Sequence, residues 1–383
     1  MRIVMVAACP YPTTQGTQVY IRGMTRALVD GGHEVHLVTY HFGEDLGDEA
    51  AIIHRIPPVP WYRKLRAGPS WSKPLLDSLL AWKLLEVVRE QRPDLVHAHN
   101  YEAPLAAYLV RSITGVPVLY NSHNLMQDEL HLYLKGRARR AAARRFGVLL
   151  DRQVPRRADR CIVISQAAGT ALAALGVPKE RIHFLAPAVH ADEFEDLERR
   201  PGSQPTVLYA GNPDRYQDLH VLLRAMARVV SEQPSVRLRV VSSAELGEVA
   251  ELALREGLPE RNLELHTESS WKRVRSLMAT ADLAALPRTL CRGFPIKLLN
   301  YMAVGLPVVA CAGSAALIEE GINGRVVPNG DHEAFASAIL ELLADSATAS
   351  RMGEAARSSV LAEHSWSRRL PQLEAIYGAM LGE

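Results

Sequence analysis

Two doubly wound α/β halves joined by a single linker are what this sequence predicts, and three observations predict it. Apolar runs rich in β-branched residues alternate with helix-like stretches. The alternation lapses once, near residues 186–204, and then restarts. The 383 residues are also enough for two ordinary cores. Strand followed by helix, repeated, indicates parallel sheets, because parallel strands need a crossover and the crossover helices cover both faces.

The first half opens with "RIVMVAA", the helix-like "TQVYIRGMTRALVDGG" and then "EVHLVTY". The later runs "LVHAH", "VPVLYN" and "CIVIS" are each followed by a helical stretch. The segment "APAVHADEFEDLERRPGSQP" is polar and Pro-containing and reads as the linker. After it come "TVLYAG", "LRVVSS", "LELHT", "LAALP" and "LPVVACAG" with helical segments between them. The closing "SWSRRLPQLEAIYGAML" is an amphipathic helix beyond the second half. The expected domains are residues 1–185 and 190–366, with residues 367–383 as the terminal helix. Two such halves imply a cleft, and ligands of these sheets sit beyond the carboxyl ends of the strands.

Composition narrows the function. Apolar residues make up 48% and charged residues 22%, as in an ordinary globular protein. No apolar run approaches the roughly 20 residues that span a bilayer. The start, "MRIVMVAACPYP", is broken by Pro10 and Pro12 and reads as a buried strand, not a signal peptide. Cys9, Cys161, Cys291 and Cys311 have no metal-type or redox-type spacing, which suits reduced thiols in the cytoplasm. The net charge of +2 conceals an asymmetry: residues 1–190 hold 24 Lys and Arg against 16 Asp and Glu, the rest 20 against 26. Much of the basic surplus lies in "KGRARRAAARRFGVLLDRQVPRRADR", Lys135 to Arg160. Aromatic interleaving is absent there, so a nucleic-acid partner is not expected. The readings left are an ordinary solvated face, or a contact with anionic lipid or a phosphorylated acceptor. The loop "PWYRKLRAGPSWSKP" sets Trp61, Tyr62 and Trp71 beside Arg63, Lys64 and Arg66, suiting an interfacial lip or an acceptor loop equally. The expected location is cytoplasmic, peripheral at the inner face of the cell membrane.

The residues that carry chemistry sit at strand ends. The turn after the first strand, "ACPYPTTQGTQ", has one glycine, so the dinucleotide fingerprint Gly-x-Gly-x-x-Gly is missing. Gly16, with Thr17, opens the first helix and lets backbone N–H groups approach a phosphate. His123 follows the strand "VPVLY" and suits a contact to a transferred group. His97 and His99 share one strand face but are too few for a metal site. Gly211 ends a strand, followed by Asn212 and, in the loop, Arg215. The most informative stretch is "CRGFPIKLLNYMAVGLPVVA". Gly293 permits close backbone approach, Pro295 presets a first helical turn, and Gly305 suits a helix stop. The N–H groups from Phe294 through Ile296 to Lys297, together with the Lys297 ammonium, would form an anion seat. Asn300, five residues past Pro295, suits a ribose hydroxyl.

Taken together, "GTQVYIRGMTRALVDGGHEVHLVTY", "RPDLVHAHN", "ADRCIVIS", "GFPIKLLNYMAVGLPVVA", "GINGRVVPNGD" and "HSWSRRL" resemble the retaining glycosyltransferase family four, in family order and over nearly the whole chain. "TTQGTQV" and "PIKLLNYMA" are most similar to a bacterial subgroup whose substrates are mostly unassigned. The resemblance implies the GT-B fold, with two Rossmann-like domains and a terminal helix returning to the first. It further implies transfer of a sugar from a nucleotide sugar, expected to be a UDP- or GDP-sugar, with retained configuration and with no metal or other cofactor. The acceptor would be a cell-envelope, lipid-linked or secondary-metabolite molecule. Lys297, Arg215 and the Gly293–Phe294 backbone would meet the diphosphate, Gly16 the phosphates from the other domain, and His123 the sugar. The family's usual glutamate pair, eight apart, is Arg292 and Asn300 here, at the sugar and ribose positions. Its arginine and lysine after the second-domain glycine fall on Asn212 and Gln217. These replacements keep two alternatives open: a non-catalytic nucleotide- or partner-binding protein, and an epimerase or phosphorylase of the same architecture.

Overall fold

The computed structural model describes every residue except Asp45, Leu46, Asp48, residues 65–69, Arg292 and Glu383. The chain divides into two compact units, one of Met1–Thr13, Thr17–Pro187 and Trp366–Glu383, the other of Thr14–Gly16 and Ala188–Ser365.

The first unit is built from β1 (Arg2–Ala7), α1 (Gly16–Asp30), β2 (Glu34–Thr39), β3 (Ile52–Arg55), α2 (Lys73–Gln91), β4 (Leu95–His99), α3 (Glu102–Thr114), β5 (Val118–Ser122), α4 (Met126–Glu129), α5 (Arg137–Gln153), β6 (Arg160–Val163), α6 (Gln166–Ala174) and β7 (Ile182–Phe184). Among the described residues the strands form one sheet in the order β3-β2-β1-β4-β5-β6-β7, every pair parallel. Strand β1 is central and fully buried from Ile3 to Ala7, as a strand covered on both faces must be. One face packs Val4, Val6 and Val38 against Leu76, Leu80 and Leu84 of α2. The edge strands β3 and β7 are short and escape the periodicity of the sequence. Tyr62 departs from the interfacial reading of its loop: it is buried beside Tyr40 and Phe42. Trp61 and Trp71 are exposed, and Arg66 lies outside the described residues.

Helix α5 shows how one sequence sets its own facing. Its single acid, Asp151, is fully buried, takes a hydrogen bond from Tyr101 and accepts the Met126 and Gln127 N–H groups at 2.9 and 3.0 Å. That carboxylate therefore closes the N-terminus of α4. At Gly147 a Cβ would come within 2.5 Å of the Gln127 nitrogen and the Met126 carbonyl, so only glycine lets α4 lie this close. Arg137, Arg139, Arg140, Arg144 and Arg145, nearer the start of the helix, are exposed to solvent.

The second unit continues with α7 (Asp192–Glu195), β8 (Thr206–Ala210), α8 (Leu219–Glu232), β9 (Arg237–Ser242), α9 (Gly247–Arg255), β10 (Leu263–Thr267), α10 (Trp271–Ala279), β11 (Leu283–Leu286), α11 (Ile296–Val304), β12 (Val308–Cys311), β13 (Gly324–Val327), α12 (His332–Ala344) and α13 (Ser346–Glu363). Its sheet runs β10-β9-β8-β11-β12-β13, again parallel throughout. Residues 186–204, read as the linker, contain the division between the units at Pro187 and Ala188, and most of the segment packs with the second unit. Phe194 is fully buried in the second core, and the Arg199 guanidinium donates to the carbonyls of Ala281, Asp282 and Gly305. Charged residues on this segment tie down backbone carbonyls, so its polarity hides a packed role.

The last helix, α14 (Trp366–Leu381), packs with the first unit. Trp366 lies over Tyr20 at 5.8 Å, Glu374 meets His33 Nε2 at 2.8 Å, and the Tyr377 hydroxyl pairs with His97 Nδ1 at 2.8 Å. Gly23 of α1 and Gly31 just after it make the room: a Cβ on either would reach 2.7 Å from Trp366 or Leu370.

Candidate functional site

Lys297 is the centre of a polar cluster at the carboxyl ends of β8 and β11. Tyr301, one turn further along α11, both accepts from the Ala210 N–H and donates to the Ala210 carbonyl, fixing the helix to the end of β8. From that helix Lys297 Nζ donates to Tyr209 Oη at 2.8 Å and to Gln217 Oε1 at 2.9 Å, 4.4 Å from the Tyr209 ring centroid. Gln217 donates onward to Asn212 Oδ1 at 3.0 Å, and Asn212 to Tyr216 Oη at 2.9 Å. Gly211 has φ +149°, and a Cβ there would stand 2.7 Å from Lys297 Nζ, so glycine is required twice over. An ammonium has three protons to donate and two are taken here, leaving one for a ligand.

Arg288, half-buried after β11, lies over the Tyr216 ring at 4.9 Å and donates through Nε to the Leu290 carbonyl. Its loop is held by Asp218, a residue at φ +54° whose carboxylate accepts from the Thr289 N–H and hydroxyl at 2.9 and 2.7 Å. Among the described residues neither Lys297 nor Arg288 has an ion-pair partner. Burial, reinforced by the Arg288 charge, pulls Lys297 from the usual lysine value down to about 7. Two cations held close without a counter-ion are costly alone and become favourable once an anion sits between them.

The sequence-based set is partly assembled and partly corrected. Gly211, Asn212 and Lys297 come together as described, and Asn300 stands one turn from Lys297 on the same helix, half-buried. Pro295 is the residue before α11, with φ −79°, rather than its first helical residue. The amides from Phe294 to Lys297 do not all point at one spot: Ile296 N–H donates to the Phe294 carbonyl at 3.0 Å and Pro295 has none. Phe294 packs against the second core and faces His364 at 6.0 Å, with half-buried Gly293 before it. Arg215 is exposed, and its side chain makes no ion pair or hydrogen bond among the described residues. Arg292 lies outside them. Arg288, Tyr209, Tyr216 and Gln217 are the members that sequence reasoning missed; the one signal was Gln217, standing at the family's lysine position.

Gly16 and Thr17 open α1, Gly16 counted with the second unit and Thr17 with the first, and in the first unit the histidines gather at the carboxyl ends of β4 and β5. The parallel register sets His99 opposite Asn121, so His97, His99 and Asn121 share one face. The His97 and His99 rings stack at 4.4 Å, and His99 Nδ1 lies 3.2 Å from His123 Nε2. Tyr20 meets His123 edge-on at 5.3 Å. Burial drives His97 and His123 down to about 3 and His99 well below its usual value, with neighbouring imidazoles adding to the shift on His97 and His99. His123 is therefore a neutral imidazole at physiological pH, a hydrogen-bonding group and a poor general base. Among the described residues no group of three His, Cys, Asp or Glu is placed to hold a metal ion.

Comparison with known proteins bears on the family and the fold. Residues 15–188 match the model described as glycosyl transferase 4-like domain, and residues 204–345 match glycosyl transferases group 1. The chain superposes on sucrose-phosphate synthase from Thermosynechococcus elongatus with a TM-score of 0.82, at 19% identity, over 100% of this chain and 99% of that one. It superposes on Anabaena HepE, solved in complex with UDP-glucose, with a TM-score of 0.78, at 18% identity, over 99% and 100%. Two parallel, helix-flanked sheets and these matches define the class: the protein is a glycosyltransferase with the GT-B fold. It belongs to glycosyltransferase family four. A D-inositol 3-phosphate glycosyltransferase from Corynebacterium urealyticum is 26% identical over 421 residues, covering 99% of this chain and 96% of the relative.

Proposed function

We propose that this glycosyltransferase takes its sugar from a nucleoside diphosphate sugar and transfers it with retained configuration to an anionic cell-envelope, lipid-linked or secondary-metabolite acceptor. One observation carries the donor part: two cations, Lys297 beside the Gly211 turn and Arg288 over the Tyr216 ring, have no ion-pair partner among the described residues. The main electrostatic demand of such a transfer is the charge that develops on the departing diphosphate. Lys297 meets it from beside Gln217, where the family's lysine would start, and this supports reading Lys297 as that lysine's replacement. Gly16 and Thr17 are assigned to the same phosphates, Asn300 to the ribose, and Arg292 to the sugar. His123 is assigned a hydrogen bond to the transferred sugar, made as a neutral imidazole. Binding of UDP-glucose by HepE favours a uridine or related nucleotide. Positive side chains do the work that a divalent ion does elsewhere, so no metal is required.

Thermal shift with UDP-, GDP-, ADP- and dTDP-sugars tests the reading, because a ligand of the folded state raises the melting temperature. One donor is expected to do so. Replacing Lys297 by Ala should weaken that donor by roughly 10- to 100-fold, the value of a charge-assisted hydrogen bond. If Lys297→Ala and Arg288→Ala both left affinity unchanged, the assignment would be wrong.

The acceptor side is read from the surface of α5. Exposed Leu132, Tyr133, Leu134, Phe146 and Leu149 are interspersed with Arg139, Arg140, Arg144 and Arg145. An apolar and basic face of this kind suits anionic lipid or a phosphorylated, lipid-linked acceptor at the inner membrane face. The relative that uses D-inositol 3-phosphate supports a phosphorylated acceptor. No helix among the described residues is long and apolar enough to cross a membrane, so the contact would be peripheral. Sedimentation with anionic vesicles should fail once those four arginines are changed to glutamate; no sedimentation of the wild type would remove the membrane part.

A further inference from the structure

A second basic site lies at the other end of the first unit's sheet. A recess of about 380 Å³ is lined by Arg111, Arg156, Arg157 and Arg181, with Asp159 as its one carboxylate and Met380 and Pro117 as apolar wall. Apart from Arg111 in the last turn of α3 and Met380 in the C-terminal helix, its residues come from the segments that precede β5, β6 and β7. They therefore stand at the amino ends of the strands, whereas His123 follows the carboxyl end of β5. Five residues of strand separate the two, roughly 16 Å.

Three of the arginines are held rather than waving in solvent. Arg156 donates through Nε to the Gly176 carbonyl at 2.8 Å, and Gly176, at φ +81°, leaves space that a Cβ would take from the guanidinium. Arg181 donates to the Arg156 carbonyl at 3.4 Å. Arg111 lies over the Tyr108 ring at 5.5 Å and pairs with Asp159 at 3.1 Å. That carboxylate is already shared with the Val118 N–H at 2.8 Å. Arg111 also sits in the last turn of α3, where a cation suits the helix end. Arg111 and Asp159 thus account for one another, and the positive charge of Arg156, Arg157 and Arg181 is left over. Arg157 makes no ion pair among the described residues and is exposed toward the recess.

We propose that this recess binds a phosphate ester, at a site separate from the donor-binding cluster. Planar guanidinium groups from two loops suit the several oxygens of one phosphate. The volume exceeds that of a bare ion, and Met380 with Pro117 gives an apolar side for the organic part of an ester. A soluble ester and the headgroup of a phospholipid present the same chemistry here. The donor reading of Lys297 has no part in the argument.

The test uses the full chain with two probes of matched chemistry: glycerol phosphate in solution, and phosphatidylcholine vesicles with or without phosphatidate. Hydrogen exchange should slow in segments 111–116 and 154–160. Protection by glycerol phosphate identifies a soluble ligand; protection by phosphatidate vesicles alone identifies a lipid headgroup. Arg157→Glu and Arg181→Gln should each weaken binding at least about tenfold, and the second keeps the test valid should the first fail to fold. Protection confined to residues 209–217 and 288–300 would overturn the proposal, as would none with either probe. Protection that survives both substitutions would overturn it too. Equal protection by inorganic sulfate would refute the ester.

Discussion

At the carboxyl ends of its two sheets the protein keeps two kinds of buried base. In the first unit His97, His99 and His123 are packed against one another and against Tyr20 and Tyr377, and burial holds all three neutral. In the second unit Lys297 is only half-buried, and burial with the Arg288 charge brings it to about 7, where a single anion decides its state. The difference lies in what each group lacks. The histidines are uncharged and paired through Nδ1 of His97 and His99; the lysine has acceptors on two sides and no ion-pair partner among the described residues. One site is set to hold its shape, and the other, on the proposed reading, to respond to a ligand.

The largest expected effect concerns stability in acid. Unfolded imidazoles take up protons below their usual value of 6.5, whereas His97 and His123 in the folded chain wait until about 3. The unfolded state therefore binds more protons in that window, and stability falls as the pH drops through it. Each such histidine contributes roughly 1.4 kcal/mol per pH unit. Urea denaturation at pH 7, 6 and 5 should show the steep loss, and His97→Asn should flatten it; an unchanged slope would show the cluster is not the cause. Next comes a dissociation of roles. His123→Ala should keep nucleoside diphosphate affinity while turnover drops about a hundredfold, whereas Lys297→Ala should lose the affinity. Equal loss of affinity in both would erase the contrast drawn between the two sites. Gly211→Ala should cost roughly 1–3 kcal/mol from backbone strain and displacement of the lysine amine, measured by chemical denaturation.

The smallest effect is the sharpest test of Lys297. Above pH 7 its free amine is largely neutral, and binding a diphosphate must protonate it. Affinity for UDP should therefore be flat below about 7 and weaken by up to about tenfold per pH unit above. Calorimetry in buffers of different ionisation enthalpy should record proton uptake, absent in Lys297→Met. The same shift makes the unliganded protein gain stability as pH rises from about 7 toward the usual 10.5, because there the unfolded chain holds the extra proton.

Much of this was legible in the residues, and the exceptions have physical reasons. The buried strands were read correctly because both-face burial writes continuous apolar runs, as in β1, β4 and β12. Edge strands β3 and β7, half-exposed and three or four residues long, leave no such run. Lys297 stood out because a cation at a helix start is locally unfavourable. Arg288 did not, since a lone arginine after Pro287 has no pattern, and its importance rests on Asp218 holding the loop from 71 residues away. The pairing of His99 with His123 depends on the β4–β5 register, which no spacing within either strand encodes. The burial of Tyr62 and Phe194 was not legible for one reason: polar neighbours in sequence do not say whether an aromatic ring turns inward.

The inward placement of Asp151 and Gly147 has a further consequence for α5. These two residues set the rotational phase of the helix, and successive helical residues are about 100° apart. Inserting a single residue between Arg145 and Gly147 would turn the arginines ahead of it by about 100° relative to Gly147 and Asp151. A deletion scan along this helix should thus be punctuated, tolerating changes of about seven residues, close to two full turns, far better than changes of one or two.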